Sequence, residues 1–215
     1  MERESGLRDR KKAQTRVRIA DVAAALFAEH GYDQVSVLDV AREADVSDQT
    51  VYNYFPAKHD LVLDRAEEIR QRYDQAVRNR LPGTSPARAI QVLVAEDVAR
   101  FDEADPLAPG EFASLCLRSP VLRRYALEFR ERQSETVAEA ITATDSEIPP
   151  LVARAHAAAL ISVVQWVTDQ IGASVLEHAP VRPRAESTAQ AATAALDDLD
   201  HHFHNIRGAA DPGVC

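Results

Sequence analysis

The stretch VSDQTVYNYFPAKHDL, from Val46 to Leu61, decides how this chain is interpreted. Ser47 is a helix-capping residue type and Pro56 ends a helix, so the stretch predicts a short helix reaching about Phe55. Val51 and Phe55 lie four residues apart and should share the inward face. The polar residues between them should therefore point outward.

Two further helices precede this segment. Apolar residues recur at helical spacing from about Lys12 to His30, and Gly31 is placed to end that helix. Ser36 and Asp39 have the form of a capping box that opens a second helix. A turn of about four residues then joins the second and third helices, which is the length that a helix-turn-helix requires.

The rest of the chain also predicts helices. Of its 215 residues 46% are hydrophobic and only seven are glycine, which is typical of a packed helical fold. A long fourth helix is expected from about Lys58 to Arg80, and no strand-like alternation follows it. Proline-containing breaks are expected at residues 81–86, 104–110, 144–150 and 179–184. The prediction is an all-α fold of about nine helices.

Charge is distributed unevenly. The net charge is −9, yet residues 1–18 hold seven Lys/Arg against three acidic residues, a local balance of +4. Such a basic segment can release counterions from DNA, although a solvated tail explains it equally well. The distant Cys116 and Cys215 support neither a disulfide framework nor a zinc site. With no signal segment and no long apolar run apparent, we expect a cytoplasmic protein without a membrane partner.

The outward residues of the third helix suit double-stranded DNA. Gln49 and Asn53 carry amides that can pair with adenine, and Thr50 can contact a thymine methyl or a phosphate. Tyr52 and Lys58 can reach backbone phosphates, although tyrosines are also common core residues and a lysine is often only solvated. The full set of candidate DNA-binding residues is Arg16, Ser36, Ser47, Gln49, Thr50, Tyr52, Asn53, Tyr54 and Lys58.

This segment resembles the TetR family of bacterial transcriptional regulators over about residues 13–62. The matching residues are Phe27, Gly31, Tyr32, Val40, Ala41, Ala44, Val46, Ser47, Thr50, Tyr52, Tyr54, Phe55, Pro56, Lys58 and Leu61. The resemblance implies a homodimer that binds a palindromic operator, usually as a repressor released by a small molecule. It also implies that Gln49, Thr50 and Asn53 contact bases, while Ser36, Tyr52, Tyr54 and Lys58 contact phosphates.

The resemblance also sets the expected domains. They are a basic arm over 1–12, a helix-turn-helix domain over 13–60, an effector-binding and dimerisation domain over 61–208 and a flexible tail over 209–215. Two positions depart from the family pattern, which often has glycine at both. Asp45 tolerates the left-handed turn conformation with slight strain. Gln49 should alter the preferred operator.

The C-terminal helices should enclose an effector pocket, as in the family. Residues 110–176 faintly resemble actinobacterial relatives described as acyl-CoA-like, so a small hydrophobic or amphipathic effector is expected. Trp166 and Gln165 interrupt an apolar helix, and a ligand, the backbone or water could satisfy their polar groups. The candidate pocket residues are Phe101, Phe112, Leu115, Cys116, Tyr125, Phe129, Gln133, Trp166 and Asp169.

Leu196, Leu199, Phe203 and Ile206 recur three and four residues apart near the end of the chain. This seam predicts a subunit interface, with an intramolecular core as the alternative. The nearby His201, His202 and His204 lack supporting ligands, so no metal site is expected.

The arginines of residues 118–132 could attract an anionic effector. Arg124 and Glu128 have the spacing of an intrahelical ion pair, however, which favours a solvated face. No catalytic motif, cofactor motif or phosphate loop appears, so the chain is not expected to be an enzyme or to hold a cofactor. A constitutive or protein-controlled DNA-binding regulator without an effector remains the alternative.

Overall fold

The computed structural model describes residues 2–64, 66–102, 107–177 and 181–210, with side chains described for 10–64, 66–100, 112–177 and 182–207. These residues form nine α-helices and two short 3₁₀ turns, and no strand occurs among them. The expected all-α fold is confirmed. The chain divides into two compact units, Met1–Arg65 and Ala66–Cys215.

The first unit holds three α-helices and both 3₁₀ turns. In chain order these are α1 (Glu2–His30), the first 3₁₀ turn (Tyr32–Gln34), α2 (Val37–Glu43), α3 (Asp48–Tyr54) and the second 3₁₀ turn (Lys58–Leu61). The second unit contains α4 (Ala66–Arg78), α5 (Pro86–Asp102), α6 (Leu107–Arg118), α7 (Pro120–Thr144), α8 (Pro150–Glu177) and α9 (Val181–Ala210).

The core of the first unit follows the sequence pattern. Ile19, Ala23 and Phe27 lie on one face of α1 and are buried. Val51 and Phe55 are 0% and 1% exposed, as their spacing predicted. Because a helix of seven residues is marginal alone, this burial is what stabilises α3.

Two expected helix boundaries were wrong. The helix expected over Lys58–Arg80 is interrupted, because Asp60 accepts a hydrogen bond from the Ala57 backbone N–H (2.8 Å) and closes a 3₁₀ turn instead. The residue that follows this acceptor, Leu61, is buried. α1 begins at Glu2, so most of the expected arm over 1–12 is helical backbone. Residues 211–215 of the expected tail lie outside the described residues.

The second unit is built around α8, which packs against α6, α7 and α9. Its buried residues include Ala157, Leu160, Ile161 and Val164, in the middle of the helix as expected. α8 is also the one helix, within the described ranges, that is long and apolar enough to cross a membrane. Its packing against three other helices is that of a core helix.

The seam near the end of α9 is split by the fold. Leu196 and Phe203 are each 1% exposed and belong to the core that α9 forms with α5 and α8. The prediction that these two side chains form a subunit interface was therefore wrong, because the chain's own helices already cover them. Leu199 and Ile206 are only half-buried.

Gly172 permits the close approach of α8 to α6. A Cβ atom at this position would lie 2.7 Å from the Ala113 carbonyl carbon and 2.9 Å from its oxygen. Gly172→Ala should lower the free energy of unfolding by about 1–2 kcal/mol, because overpacking against backbone exceeds the gain in helix propensity. Urea unfolding checks this, with Ser162→Ala on the exposed face of α8 as the control. An equally or more stable Gly172→Ala protein would contradict the packing.

His156 should make the second unit sensitive to acid. The side chain is buried beside Phe203 and His202, neither ring nitrogen has a hydrogen-bond partner, and burial lowers its pKa from 6.5 to about 4. Between these values the unfolded chain binds a proton that the folded chain does not. Stability should therefore fall as the pH falls from about 6.5 to about 4.

The change that isolates this effect is His156→Leu. Between pH 7 and pH 5 the wild type should lose about 2 kcal/mol more unfolding free energy than the variant does. His201→Leu, at an exposed position of α9, should retain the wild-type pH dependence. Parallel pH profiles for the wild type and His156→Leu would disprove the assignment.

Candidate nucleic-acid interface

The turn between α2 and α3 is a Schellman motif. Its two backbone hydrogen bonds run from Val46 N–H to the Ala41 carbonyl (3.0 Å) and from Asp45 N–H to the Arg42 carbonyl (3.3 Å). Asp45 has φ 51°, which confirms the left-handed conformation expected there. Aspartate tolerates this conformation better than most residues, so the turn forms without glycine.

The start of α3 is fixed by its cap. The Ser47 hydroxyl accepts a hydrogen bond from the Thr50 backbone N–H (3.1 Å), and the two hydroxyls lie 2.8 Å apart. Asp48 accepts from the Gln49 backbone N–H at 2.8 Å, so its carboxylate complements the positive end of the helix. Two neighbouring hydroxyls are thus gathered where the helix begins.

The outward face of α3 carries an amide pair. Gln49 Nε2 donates to Asn53 Oδ1 at 3.2 Å, one helical turn away, and both side chains are exposed. Tyr52 is also exposed, whereas Thr50 and Tyr54 are half-buried. The face therefore presents free amide donors and acceptors of the kind that pair with base edges in a major groove.

Ser36 forms the capping box expected at the start of α2. Its hydroxyl donates to Asp39 Oδ2 (2.6 Å), and the Asp39 backbone N–H donates to the same hydroxyl (3.1 Å). The hydrogen bonds from Ser36 lower the pKa of Asp39. Ser36 is exposed, but its hydroxyl already donates its hydrogen to the Asp39 carboxylate.

Lys58 has a structural role that the sequence did not indicate. Its Nζ donates to the Tyr32 carbonyl and lies 4.2 Å from the Tyr32 ring centroid and 5.8 Å from that of Phe27. Burial lowers its pKa, which nearby Asp33 partly opposes. The ammonium therefore joins the second 3₁₀ turn to the first, with further donors left for a phosphate.

Arg16 is also engaged inside the first unit. Its guanidinium lies 4.8 Å from the Phe55 ring centroid and donates to the Asp64 carbonyl at 3.1 Å. The side chain is half-buried between these contacts. It therefore holds the end of α3 and the following turn against α1, and its contact with DNA stays a prediction.

The candidate pocket residues of the second unit are only partly brought together. Leu115, Cys116, Phe129 and Gln133 are buried, and Phe112 and Tyr125 are half-buried. Burial raises the pKa of the Cys116 thiol to about 12, so it behaves as an apolar side chain. The Phe101 side chain lies outside the described residues.

The two remaining candidates are Trp166 and Asp169. Trp166 is 40% exposed, which places it at the surface of the second unit, and its predicted role in a pocket wall stays a prediction. α8 is apolar on most sides, and sequence alone did not show which side lacks a covering helix. Asp169 forms a bidentate ion pair with Arg123, at 2.5 and 2.7 Å, and accepts from Gln165 Nε2 at 2.7 Å.

The arginines of α7 face different environments. Arg124 and Glu128 form the expected exposed ion pair at 3.3 Å, whereas Arg130 donates to Gln133 Oε1 and Thr168 Oγ1. Sequence reasoning missed Arg130 as an inward residue. Its register could have shown it, because it lies four residues after buried Ala126 and seven before buried Val137.

The histidines near the end of α9 bond to backbone. His201 Nδ1 lies 2.7 Å from the Asp197 carbonyl, and His204 Nδ1 lies 2.9 Å from the Asp200 carbonyl. Within the part of the chain that the structure describes, no three His, Cys, Asp or Glu side chains are placed to hold a metal ion.

An apolar groove of about 430 Å³ runs along α8 and α9; we call it the α8–α9 groove. Its lining residues are Leu151, Val152, Ala155, His156, Ala159, Leu199, His202 and Ile206. Leu151, at its edge, is 78% exposed. A surface this apolar is typical of a site that another helix covers.

Comparison with known proteins agrees with this geometry. Residues 19–64 match the family model described as bacterial regulatory proteins, tetR family. The HTH-type transcriptional repressor KstR of Rhodococcus jostii is 33% identical over 104 residues, which is 48% of each chain, so the match spans about half of that relative. The putative mycofactocin biosynthesis transcriptional regulator MftR of Mycobacterium tuberculosis is 26% identical, over 75% of this chain and 84% of its own.

The similarity in fold extends across both units. The crystal structure of the transcriptional regulator FadR from Bacillus subtilis, in complex with stearoyl-CoA, superposes with a TM-score of 0.55 and 17% sequence identity. It covers 86% of this chain and 97% of its own. The family-model match thus shows a tetR-family N-terminal domain at residues 19–64, and the regulator relatives and the solved fold are similar to this chain beyond that domain.

Proposed function

We propose that the chain is a homodimeric transcriptional repressor that binds a palindromic operator in the cytoplasm and is released by a small hydrophobic or amphipathic effector. The outward face of α3 carries this proposal. Its Gln49–Asn53 amide pair is exposed on a helix whose opposite face, Val51 and Phe55, is buried. That arrangement holds base-pairing groups rigidly outward.

Phosphate contacts would come from the groups around this face. Ser47 and Thr50 gather hydroxyls at the start of α3, and Tyr52 adds an exposed phenol. Tyr54 and Lys58 join the proposed set, with Lys58 acting through the N–H donors that it does not use on the Tyr32 carbonyl. Ser36 would join it by exchanging its Asp39 acceptor for a phosphate oxygen. The net charge of −9 limits nonspecific attraction to DNA, so binding depends on these local contacts.

Dimerisation would place two α3 helices in successive major grooves, about 34 Å apart. The α8–α9 groove is the surface that we propose for it, since Leu151, Leu199 and Ile206 leave apolar area uncovered there. Buried Leu196 and Phe203 would support this surface from below. Effector binding in the second unit would change the separation of the two α3 helices and so weaken operator binding.

An effector is favoured over a constitutive regulator by unsatisfied polar groups in the second unit. The buried Gln133 Nε2 has no hydrogen-bond acceptor and Gln165 Oε1 has no donor. A core filled only by its own side chains would not be expected to leave such groups unpaired. FadR, which shares the fold, binds stearoyl-CoA, so an amphipathic ligand is compatible with this architecture.

The DNA assignment can be tested by selecting duplexes from a randomised pool with the full-length protein. Gln49→Ala or Asn53→Ala should lose about 1–3 kcal/mol of discrimination at particular base pairs, because a bidentate amide contact is removed. Tyr52→Phe should weaken binding to selected and random duplexes alike. Fluorescence anisotropy across single-base operator variants measures both effects.

Gln34→Ala is the matched control, since Gln34 is an exposed glutamine of the same unit outside α3. It should bind every duplex as the wild type does. The assignment fails if the pool yields no enriched inverted repeat. It also fails if Gln49→Ala and Tyr52→Phe give the same profile across base pairs.

The dimer surface has its own test. Leu151→Asp should convert a dimer into a monomer at micromolar concentration and reduce operator affinity at least tenfold, because a charge would be buried in an apolar interface. Leu81→Asp, at a leucine that is 75% exposed, should remain dimeric. Sedimentation equilibrium measures the change. A monomeric wild type, or a dimeric Leu151→Asp variant, would refute this surface.

A further inference from the structure

Arg130 has no acidic partner among the described side chains, which is also true of the exposed Arg118 and Arg132, but unlike them it is half-buried. Arg72, Arg123 and Arg124 each have a carboxylate within 3.3 Å. The Arg130 guanidinium donates to two neutral acceptors, Gln133 Oε1 at 2.8 Å and Thr168 Oγ1 at 2.9 Å. Among the side chains that the structure describes, it makes no ion pair. Its positive charge is therefore not neutralised locally.

The Arg130 side chain is half-buried, and its guanidinium lies among apolar groups. Burial lowers the pKa of Arg130, and its neighbours include the buried Tyr73 and Cys116. The Phe129 ring centroid lies 5.6 Å from its central carbon. Asp97 and Asp169 act on it only from a distance, and each is already paired with another arginine. Such an isolated charge is costly to hold in a folded chain.

A second unsatisfied group lies beside it. Gln133 is 0% exposed and its Oε1 is bound by Arg130, while its Nε2 has no acceptor. The two residues lie one helical turn apart on α7, so the unused amide hydrogens lie close to the guanidinium. The Arg130 guanidinium lacks an anionic partner among the described side chains, and the Gln133 amide nitrogen lacks a hydrogen-bond acceptor. Because Arg130 is positively charged, the acceptor that suits it best is an anionic group.

We propose that Arg130 and Gln133 bind the carboxylate of a monoanionic ligand with an apolar body. This deepens the proposed function by naming the effector's chemical class, and it rests on that function. A guanidinium has five N–H donors, of which two are used here, and a carboxylate accepts two of them side by side. Gln133 Nε2 supplies a further donor to the same group.

The charge count sets the class of ligand. One guanidinium without an acidic partner neutralises one negative charge, so a phosphate ester or polyphosphate would bring charge that this site leaves unpaired. A neutral alcohol would leave the guanidinium as it is. Apolar neighbours such as Phe129 and Leu115, both buried, suit a hydrophobic body.

Binding to the full-length protein can be measured by calorimetry with matched pairs. The probes are decanoate, 2-naphthoate and abietate, each compared with its primary alcohol, so that three body shapes carry the same head group. At least one acid should bind tenfold or more tightly than its alcohol. Arg130→Gln should abolish that preference and leave the alcohol's affinity unchanged, and Gln133→Leu should reduce the preference several-fold.

Arg124→Gln is the matched control, because Arg124 is an exposed, paired arginine on the same helix. It should keep the full preference for the acid. The proposal is overturned if no acid outcompetes its alcohol, or if Arg124→Gln loses the preference as Arg130→Gln does.

The melting temperature tests whether Arg130 serves to stabilise the fold and not to bind a ligand. Without ligand, the double variant Arg130→Met, Gln133→Leu should have the wild-type melting temperature or a higher one, since it removes the unneutralised charge together with the buried amide that the charge hydrogen-bonds. A lower melting temperature for this double variant would show that the pair stabilises the fold and would overturn the proposal.

The same proteins also distinguish this inference from the proposed function. Arg130→Gln should bind the selected duplex with wild-type affinity. If the protein binds the selected duplex but prefers no acid to its alcohol, the carboxylate site is refuted and the proposed DNA-binding function is not. A preference for an acid, in a protein that enriches no duplex from the pool, refutes the proposed function and leaves the carboxylate site standing.

Discussion

The burial of Val51 and Phe55 is the constraint on which the proposed DNA-reading surface depends. α3 has only seven residues, too few to persist alone, so its direction is set by these two side chains and by its cap at Ser47. With that face fixed, Gln49 and Asn53 must point the other way, since both lie off the buried stripe. The Arg16 guanidinium lies over the Phe55 ring and adds a cation–π contact to the packing of this side chain. The Arg16 cation, which was predicted to bind DNA, thus helps to hold the proposed reading helix in place.

Sequence reasoning succeeded where the interaction is local. The capping box at Ser36, the left-handed Asp45 and the cap at Ser47 each depend on residues within a few positions, so their signals survive in the sequence. Lys58 shows the limit. Its partner, the Tyr32 carbonyl, is 26 residues away, and the tendency of a lysine to pair with a backbone group leaves no pattern. The sequence also did not predict the break before α4. Asp60 is compatible with a continuing helix, and only the structure shows that it closes a 3₁₀ turn.

Periodicity revealed faces but not what covers them. The spacing of Leu196 and Phe203 correctly showed a stripe that must be buried, and the structure shows that the chain's own core buries it. Trp166 gives the reverse case, since an apolar helix has no polar face to reveal which side remains open. On α7 the phase did hold information, because Arg130 falls in step with buried Ala126 and Arg124 does not. Arg130 is a positive charge on the helix face that also carries buried apolar residues. That position indicates an inward arginine, whereas a count of the arginines in α7 does not.

The charge of Arg130 would give a physical reason for the proposed response to a ligand. A guanidinium with neutral partners and an amide with an unused donor make the unliganded second unit less stable than its packing would allow. A ligand that supplies the missing acceptor binds only the folded arrangement, so it stabilises that arrangement by mass action. If the occupied and empty forms differ in how α7 and α8 pack, the same binding energy shifts the population between them. Sensitivity to an effector would then come from the incompletely hydrogen-bonded Arg130 and Gln133. Apolar side chains at the same positions would make the second unit more stable, but they would give an effector nothing to bind by hydrogen bonds.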